Sequence, residues 1–154
     1  MNTYLKKFVS EKFEKSGRAL DLGAGDFFDV ASLGQLGWKC EGVDITKGTD
    51  LEKHFVSKNK PFDLVYSNYV IHRLKNKEIF IQTIFDNLKK GGWFFLHTFD
   101  KSDKNSKSNL SQVHLQKLLA EQGFKNIKTK VFSCYDNEEN HKHWHKILEV
   151  MGQK

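Results

Sequence analysis

Residues 18–44, RALDLGAGDFFDVASLGQLGWKCEGVD, hold a short apolar run, a glycine turn, a helical stretch and a second apolar run closed by a carboxylate. Ala19-Leu20-Asp21-Leu22 reads as a buried strand broken by one acid, and Gly23-Ala24-Gly25 follows where a strand must turn sharply into a helix. Glycines at such a turn reach positive φ and let backbone N–H groups approach a ligand at the positive end of the next helix. That helix is expected to start between Asp26 and Asp29, to bury Val30, Leu33 and Leu36 at helical spacing, and to stop at Gly37. A second strand then runs from Lys39 to Val43, and Asp44 stands where dinucleotide-type folds place the acid that hydrogen-bonds a ribose hydroxyl. The stretch reads as a nucleotide-type site.

A nicotinamide-binding turn asks for G-x-G-x-x-G, and Phe28 holds the third glycine position, which weakens that reading. Asp21-x-Gly23-x-Gly25, with Asp44 after the next strand, instead resembles the first motif of class I S-adenosylmethionine-dependent methyltransferases, whose usual third glycine is replaced here by Phe27. FDLVYSNYVIHRL (residues 62–74) resembles the fourth strand and following turn of the small-molecule enzymes of that family, and the nearest likeness is to small bacterial methyltransferases grouped with tellurite resistance and quinone biosynthesis. The resemblance implies an α/β, Rossmann-like, doubly wound and mostly parallel sheet in the order 3-2-1-4-5-7-6, with helices on both faces and the last strand antiparallel. It also implies S-adenosyl-L-methionine as cofactor, held by Asp21, Gly23, Ala24, Gly25, Asp44, Ile45, Asp50, Leu51, Ser67 and Asn68, and a small-molecule acceptor.

Composition agrees with one domain over residues 1–154 that is large enough to bury a core, being 38% hydrophobic with a single proline. Within it the reading separates a leading helix (1–16), a cofactor-binding half (18–99), and a C-terminal part (100–154) with an acceptor loop, a helix and a strand pair. No apolar run approaches the ~20 residues that span a bilayer, and residues 1–15 are charged and amphipathic rather than a leader, so a cytoplasmic protein is expected. Cys40 and Cys134 are expected to be reduced thiols. The net charge of +6 comes from scattered lysines with only Arg18 and Arg73 as arginines, a pattern that argues against nucleic-acid reading.

Along the chain, Leu5, Phe8, Val9 and Phe13 space out one face of the leading helix. Residues 45–60 are too few for both a helix and a strand, so a short helix or turn over Leu51–Val56 is expected, with the family's third strand short or absent. Asp50-Leu51 is the pair available there to meet an adenine, and Asp50 serves equally well as a helix cap. Asn76 is expected to cap a helix reaching Lys90, with a strand from Trp93 to Phe99. Asp100–Ser111 has the composition of a mobile loop, a lid over the acceptor. A helix over Gln112–Gln122 and strands over Asn126–Tyr135 and His143–Met151, joined across Asp136–Asn140, complete the chain.

Methyl transfer from a sulfonium asks mainly for positioning and exclusion of water; a protonated acceptor also needs a base. His72 is the first candidate base and His97 the second, each with a structural role as the alternative, and Tyr69 is a candidate to close the pocket. His141, His143 and His145 share one strand face, read as solvated rather than metal-binding because no fourth ligand joins them. The Asn/Asp-Pro-Pro-aromatic motif of amino methyltransferases that act on nucleic-acid bases is absent after Ser67-Asn68. With almost no insertion beyond the core fold, a cofactor-binding module that is inactive, or active only with a partner, is the alternative to a free-standing enzyme.

Overall fold

In the computed structural model, which describes residues 1–138 and 141–154, Asn2 caps helix α1 (Thr3–Lys12) by accepting the N–H groups of Tyr4 and Leu5. Strand β1 (Arg18–Leu22) and strand β2 (Lys39–Val43) pair in parallel and are joined by helix α2 (Phe28–Gln35). β3 (Phe62–Asn68), α3 (Lys77–Asn87) and β4 (Leu88–Phe99) follow, then α4 (Gln112–Gln122), β5 (Lys125–Glu138) and β6 (His141–Gln153). The sheet runs β2-β1-β3-β4-β6-β5, and β6 alone is antiparallel to its neighbours. This is the expected order with the family's third strand missing, so the family's strand four is β3 here.

Side chains alternate across the sheet because successive Cβ atoms of a strand point to opposite faces. Leu20, Leu22, Val65, Phe94 and Leu96 meet Phe80 and Ile84 of α3 and Leu115 and Leu119 of α4. Ala19, Leu64, Tyr66 and Phe95 point the other way, against Leu5, Phe8 and Val9 of α1 and Leu33 of α2. Both faces are covered, as a parallel sheet requires. Every large apolar side chain fully buried in these layers contributes about 1.5–3 kcal/mol. None of the helices described here is long and apolar enough to cross a membrane.

Between β2 and β3 no strand and no α-helix forms, only a 3₁₀ turn at Ile45–Lys47. Side chains of α3 supply the partners that a strand would have supplied. The fully buried Asn87 accepts the Ser57 N–H at 2.9 Å and donates to the carbonyls of Phe55 and Thr83, while Thr83 accepts the Phe55 N–H. The Glu52 carboxylate accepts the N–H groups of Lys75 and Asn76. Backbone polar groups of an irregular segment are thereby satisfied without a ladder.

The same asparagine explains one correction: α3 ends at Asn87, not Lys90, and the chain goes extended at Leu88 to pair with Phe62. α1 is shorter than its apolar face suggested, with Phe13 as the residue that ends it. α2 stops before Leu36, which is exposed rather than core, and Gly37 takes the positive φ of 84° that turns the chain into β2. β5 and β6 are longer than expected; the turn placed across Asp136–Asn140 falls partly on Glu139 and Asn140, outside the described residues.

Candidate functional site

The carboxyl ends of β1 and β3 lie side by side, where successive connections leave the sheet in opposite directions, the crevice in which open α/β sheets take ligands. Ser67 ties these ends together, its hydroxyl donating to the Leu22 carbonyl at 2.6 Å. Gly23 then turns at φ 87° and Gly25 at φ 53°. A Cβ on Gly23 would stand 2.2 Å from Val70 Cγ2. The turn's N–H groups are already used: those of Gly23 and Ala24 donate to the Val43 carbonyl, and that of Gly25 to Asp44 Oδ2. The glycines thus supply room rather than the free donors expected from the sequence.

Phe27, where the resemblance leads to glycine, keeps a glycine-like φ of 63° and caps α2. Its ring fills the space left by Gly42, where an added Cβ would lie 2.9 Å from Phe27 Cε1. Apolar contact on β2 offsets the backbone cost of that conformation.

Around the turn lies a cavity of about 460 Å³ bordered by Gly23, Gly25, Asp44, Ile45, Asp50, Leu51, Asn68 and Tyr69. Eight residues singled out from the sequence therefore meet at one place. Thr46 donates its N–H and its hydroxyl to Asp44 Oδ1, both at 2.9 Å; with the Gly25 N–H they outweigh slight burial and hold the Asp44 carboxyl below its ordinary range. Asp50 accepts the Glu52 N–H in a turn and caps no helix. Asp21, Ala24 and Ser67 sit behind the cavity wall, buried, and do not border it. Burial, then the charge of Asp29, pushes the Asp21 carboxyl up to about 8.

β3 ends on Asn68, which donates to Asp29 Oδ2 at 2.9 Å. Tyr69 follows at φ 61°, its N–H donating to the His97 carbonyl. With Arg73 it borders both the first cavity and a second, larger one of about 1100 Å³. That second cavity is walled by Tyr69, His72, Phe99, Tyr135, His143 and His145 among others. His72 sits on a 3₁₀ turn (Ile71–Arg73), with Nδ1 3.2 Å from Thr98 Oγ1 and its ring edge-on to Phe99. Burial, then the charges of Arg73 and Lys77, lowers it to about 4, so it is neutral at physiological pH.

His97, the second candidate base, reaches neither cavity: it is buried among Tyr4, Phe95 and Phe132, with Nε2 2.8 Å from Glu149. His143 and His145 do not form a solvated face, since both are half-buried and border the second cavity. The side chain of His141 lies outside the described atoms. Among the described residues, no three His, Cys, Asp or Glu side chains are grouped to hold a metal ion. Cys40 and Cys134 are free thiols.

A family model described as a methyltransferase domain matches residues 2–145. The chain belongs to that family. Among solved structures, this methyltransferase-family chain resembles an S-adenosylmethionine-dependent methyltransferase from Mesorhizobium loti (16% identity, 96% of each chain, TM-score 0.74). It resembles another from Archaeoglobus fulgidus (14% identity, 99% of this chain and 92% of that one, TM-score 0.73). A third is the 1,6-didemethyltoxoflavin-N1-methyltransferase of Burkholderia thailandensis, with 1,6-didemethyltoxoflavin and S-adenosylhomocysteine bound (15% identity, 96% and 75% coverage, TM-score 0.73). At these identities the likeness carries the Rossmann-like fold, and the narrower kinship with tellurite-resistance and quinone-biosynthesis enzymes is not established by it. No curated protein matches the chain.

Sequence reasoning missed Arg73, Val70 and the Asp103–His145 pair in this methyltransferase domain. His145 Nδ1 lies 3.0 Å from Asp103 Oδ2, and the Asp103 side chain is wholly buried. Asp103 also receives the N–H groups of Lys146, Asn105 and Ser106. The 100–111 loop is thus tied to β6 and forms a wall of the second cavity through Asn105, Ser106 and Lys107. The one available signal was an acid in a polar loop beside alternating histidines.

Proposed function

We propose that the protein binds S-adenosyl-L-methionine in the smaller cavity and transfers its methyl group to a small-molecule acceptor in the larger one. The observation that carries this is the junction: the two cavities share Tyr69 and Arg73, so ligands in each meet across one wall. In-line displacement needs that proximity and little else.

The residues around the smaller cavity suit the cofactor's parts. Asp44, anchored at three points, is the acid for the ribose hydroxyls; Ile45 and Leu51 are apolar surface for the adenine, with Asp50 beside them. Gly23 and Gly25 leave space for the methionine end, and the Asp26, Asp29 and Asp44 carboxylates, whose charges converge on the buried Asp21, bias a cation toward this turn. When bound, the cofactor supplies an activated methyl group on sulfur. Tyr69 closes the junction. His72, neutral and held by Thr98, is a hydrogen-bonding and positioning group for the acceptor, too weak a base to carry the reaction itself.

Calorimetry with S-adenosylhomocysteine should show micromolar binding, roughly −7 to −8 kcal/mol. Incubation with labelled cofactor and a metabolite extract then identifies what gains the label. No binding of S-adenosylhomocysteine by the folded protein rejects the proposal.

A further inference from the structure

We propose that His145, oriented by Asp103, is the general base of the larger cavity, and that the acceptor there is a phenolic hydroxyl. This rests on the methyl-transfer reading above.

Asp103 and His145 come from different elements and are locked together from both. The Asp103 Oδ1 atom accepts the N–H groups of Asn105 at 2.9 Å and Ser106 at 2.7 Å, within the loop that follows β4. Its Oδ2 accepts the Lys146 N–H at 2.6 Å on β6 and faces His145 Nδ1 at 3.0 Å. Burial acts to raise the Asp103 carboxyl, but the N–H donors of Lys146 and Asn105 and the His145 ring outweigh it and leave it lowered. An ionised carboxylate only accepts, so Nδ1 of His145 carries the proton, and Nε2 of the neutral ring keeps its lone pair. His145 borders the larger cavity, and its ring packs at 4.7 Å on Phe99, whose ring also meets His72 at 5.0 Å. His72 has a threonine where His145 has a buried carboxylate. Of the two, only His145 has a carboxylate to orient its ring and to face the charge that forms there when a proton is taken.

Other groups face the same ring. His143 stands 4.4 Å away on β6, and Cys134 is the cross-strand partner of His145 on β5. Asp136, Lys107, Arg73 and His72 border the same cavity.

The acceptor class follows from need and from walls. A thioether or an unprotonated amine attacks without help, whereas a phenol is largely un-ionised at neutral pH and must lose its proton as it attacks. Tyr69, Phe99 and Tyr135 give the cavity aromatic surface for a planar ring. In the step, the acceptor O–H bond breaks and its proton goes to His145 Nε2. The oxygen lone pair forms the bond to the methyl carbon, and the carbon–sulfur bond breaks with its pair returning to sulfur. The imidazolium then releases the proton to water.

Nitrogen-15 spectra of histidine-labelled protein should show His145 as the Nδ1-protonated tautomer, lost in Asp103→Asn; an Nε2-protonated wild-type ring overturns the assignment. With S-adenosylmethionine bound, catechol and a small set of simple phenols that are un-ionised at neutral pH should accept labelled methyl. His145→Asn should lower kcat by ~10² or more with KM changed only a few-fold, and should remove the acidic limb of the pH profile. His145→Gln serves where His145→Asn misfolds, and Asp103→Asn should show a smaller fall in kcat. Wild-type kcat in folded His145 variants removes the base, and no transfer to any phenol by cofactor-loaded protein removes the acceptor class. Failure to bind S-adenosylhomocysteine would instead reject the cofactor reading, while the tautomer measurement would still stand.

Discussion

Gly23→Ala tests the glycine turn at its tightest point. Two costs add in the folded state. A residue with a Cβ at φ 87° costs roughly 1–2 kcal/mol. The new methyl also lands 2.2 Å from Val70 Cγ2, a β-branched side chain with little freedom to swing away, and overpacking of that kind costs about 1–3 kcal/mol. The sum is about 2–5 kcal/mol, and in a domain of this size a loss of ~3 kcal/mol lowers Tm by roughly 6–12 °C. Urea unfolding of the wild type, Gly23→Ala, Val70→Ala and the double variant separates the two costs. Val70→Ala should recover the steric part, giving a coupling of about 1–3 kcal/mol, while the backbone part stays. Gly25→Ala is the control, with a positive φ but nothing within 4 Å of the added atom, and should lose only about 1 kcal/mol. Additive losses in the double variant, or equal losses at the two glycines, would refute the contact with Val70.

Asp44→Ala should weaken S-adenosylhomocysteine binding by about 1.5–3 kcal/mol, the worth of hydrogen bonds to a charged group, and calorimetry showing unchanged affinity would remove Asp44 from the site. Asp21 keeps its proton up to about pH 8 in the folded chain but loses it near pH 3.8 when unfolded, so between those values stability should fall as pH rises, by at most roughly 1.4 kcal/mol per unit. Asp21→Asn should flatten that slope in urea unfolding at pH 5, 7 and 9; an unaltered slope assigns it to other groups. Phe27→Ala should be less stable than Phe27→Gly by about 1 kcal/mol, since both lose the ring and alanine alone keeps the left-handed backbone cost.

The turn from β1 to β2 was legible because its signals are local: a strand pattern, two glycines and an acid within one unit. The missing third strand was legible once the family resemblance asked for a helix and a strand in residues 45–60, a segment too short for both. Other features depended on partners far along the chain. Nothing near Gly23 tells that its N–H finds the Val43 carbonyl, and so the loop reads as a donor cradle when it is a space. Asn87 ends α3 early because it serves Ser57 and Phe55, 30 and 32 residues away. His145 is the sharpest case. Alternation along a strand says that its ring shares a face with those of His141 and His143, but what covers that face is a loop 42 residues distant in sequence.

Tyr69 shows why the two cavities adjoin at all. One hydrogen bond past the end of β3, its N–H reaches the His97 carbonyl on β4, and the positive φ of 61° then reverses the chain. That reversal brings Val70 against Gly23 and sends Ile71–Arg73 into the 3₁₀ turn that carries His72 to the larger cavity. A non-glycine residue in this conformation costs roughly 1–2 kcal/mol and persists only where its surroundings over-determine it. Here they do, through the N–H bond and through ring packing on Phe99 at 5.1 Å and His97 at 6.3 Å. Glycine would relieve the backbone but remove the ring that both cavities share, and with it the surface that sets how closely two bound molecules approach. The side chain is needed at the one position where the backbone would favour having none.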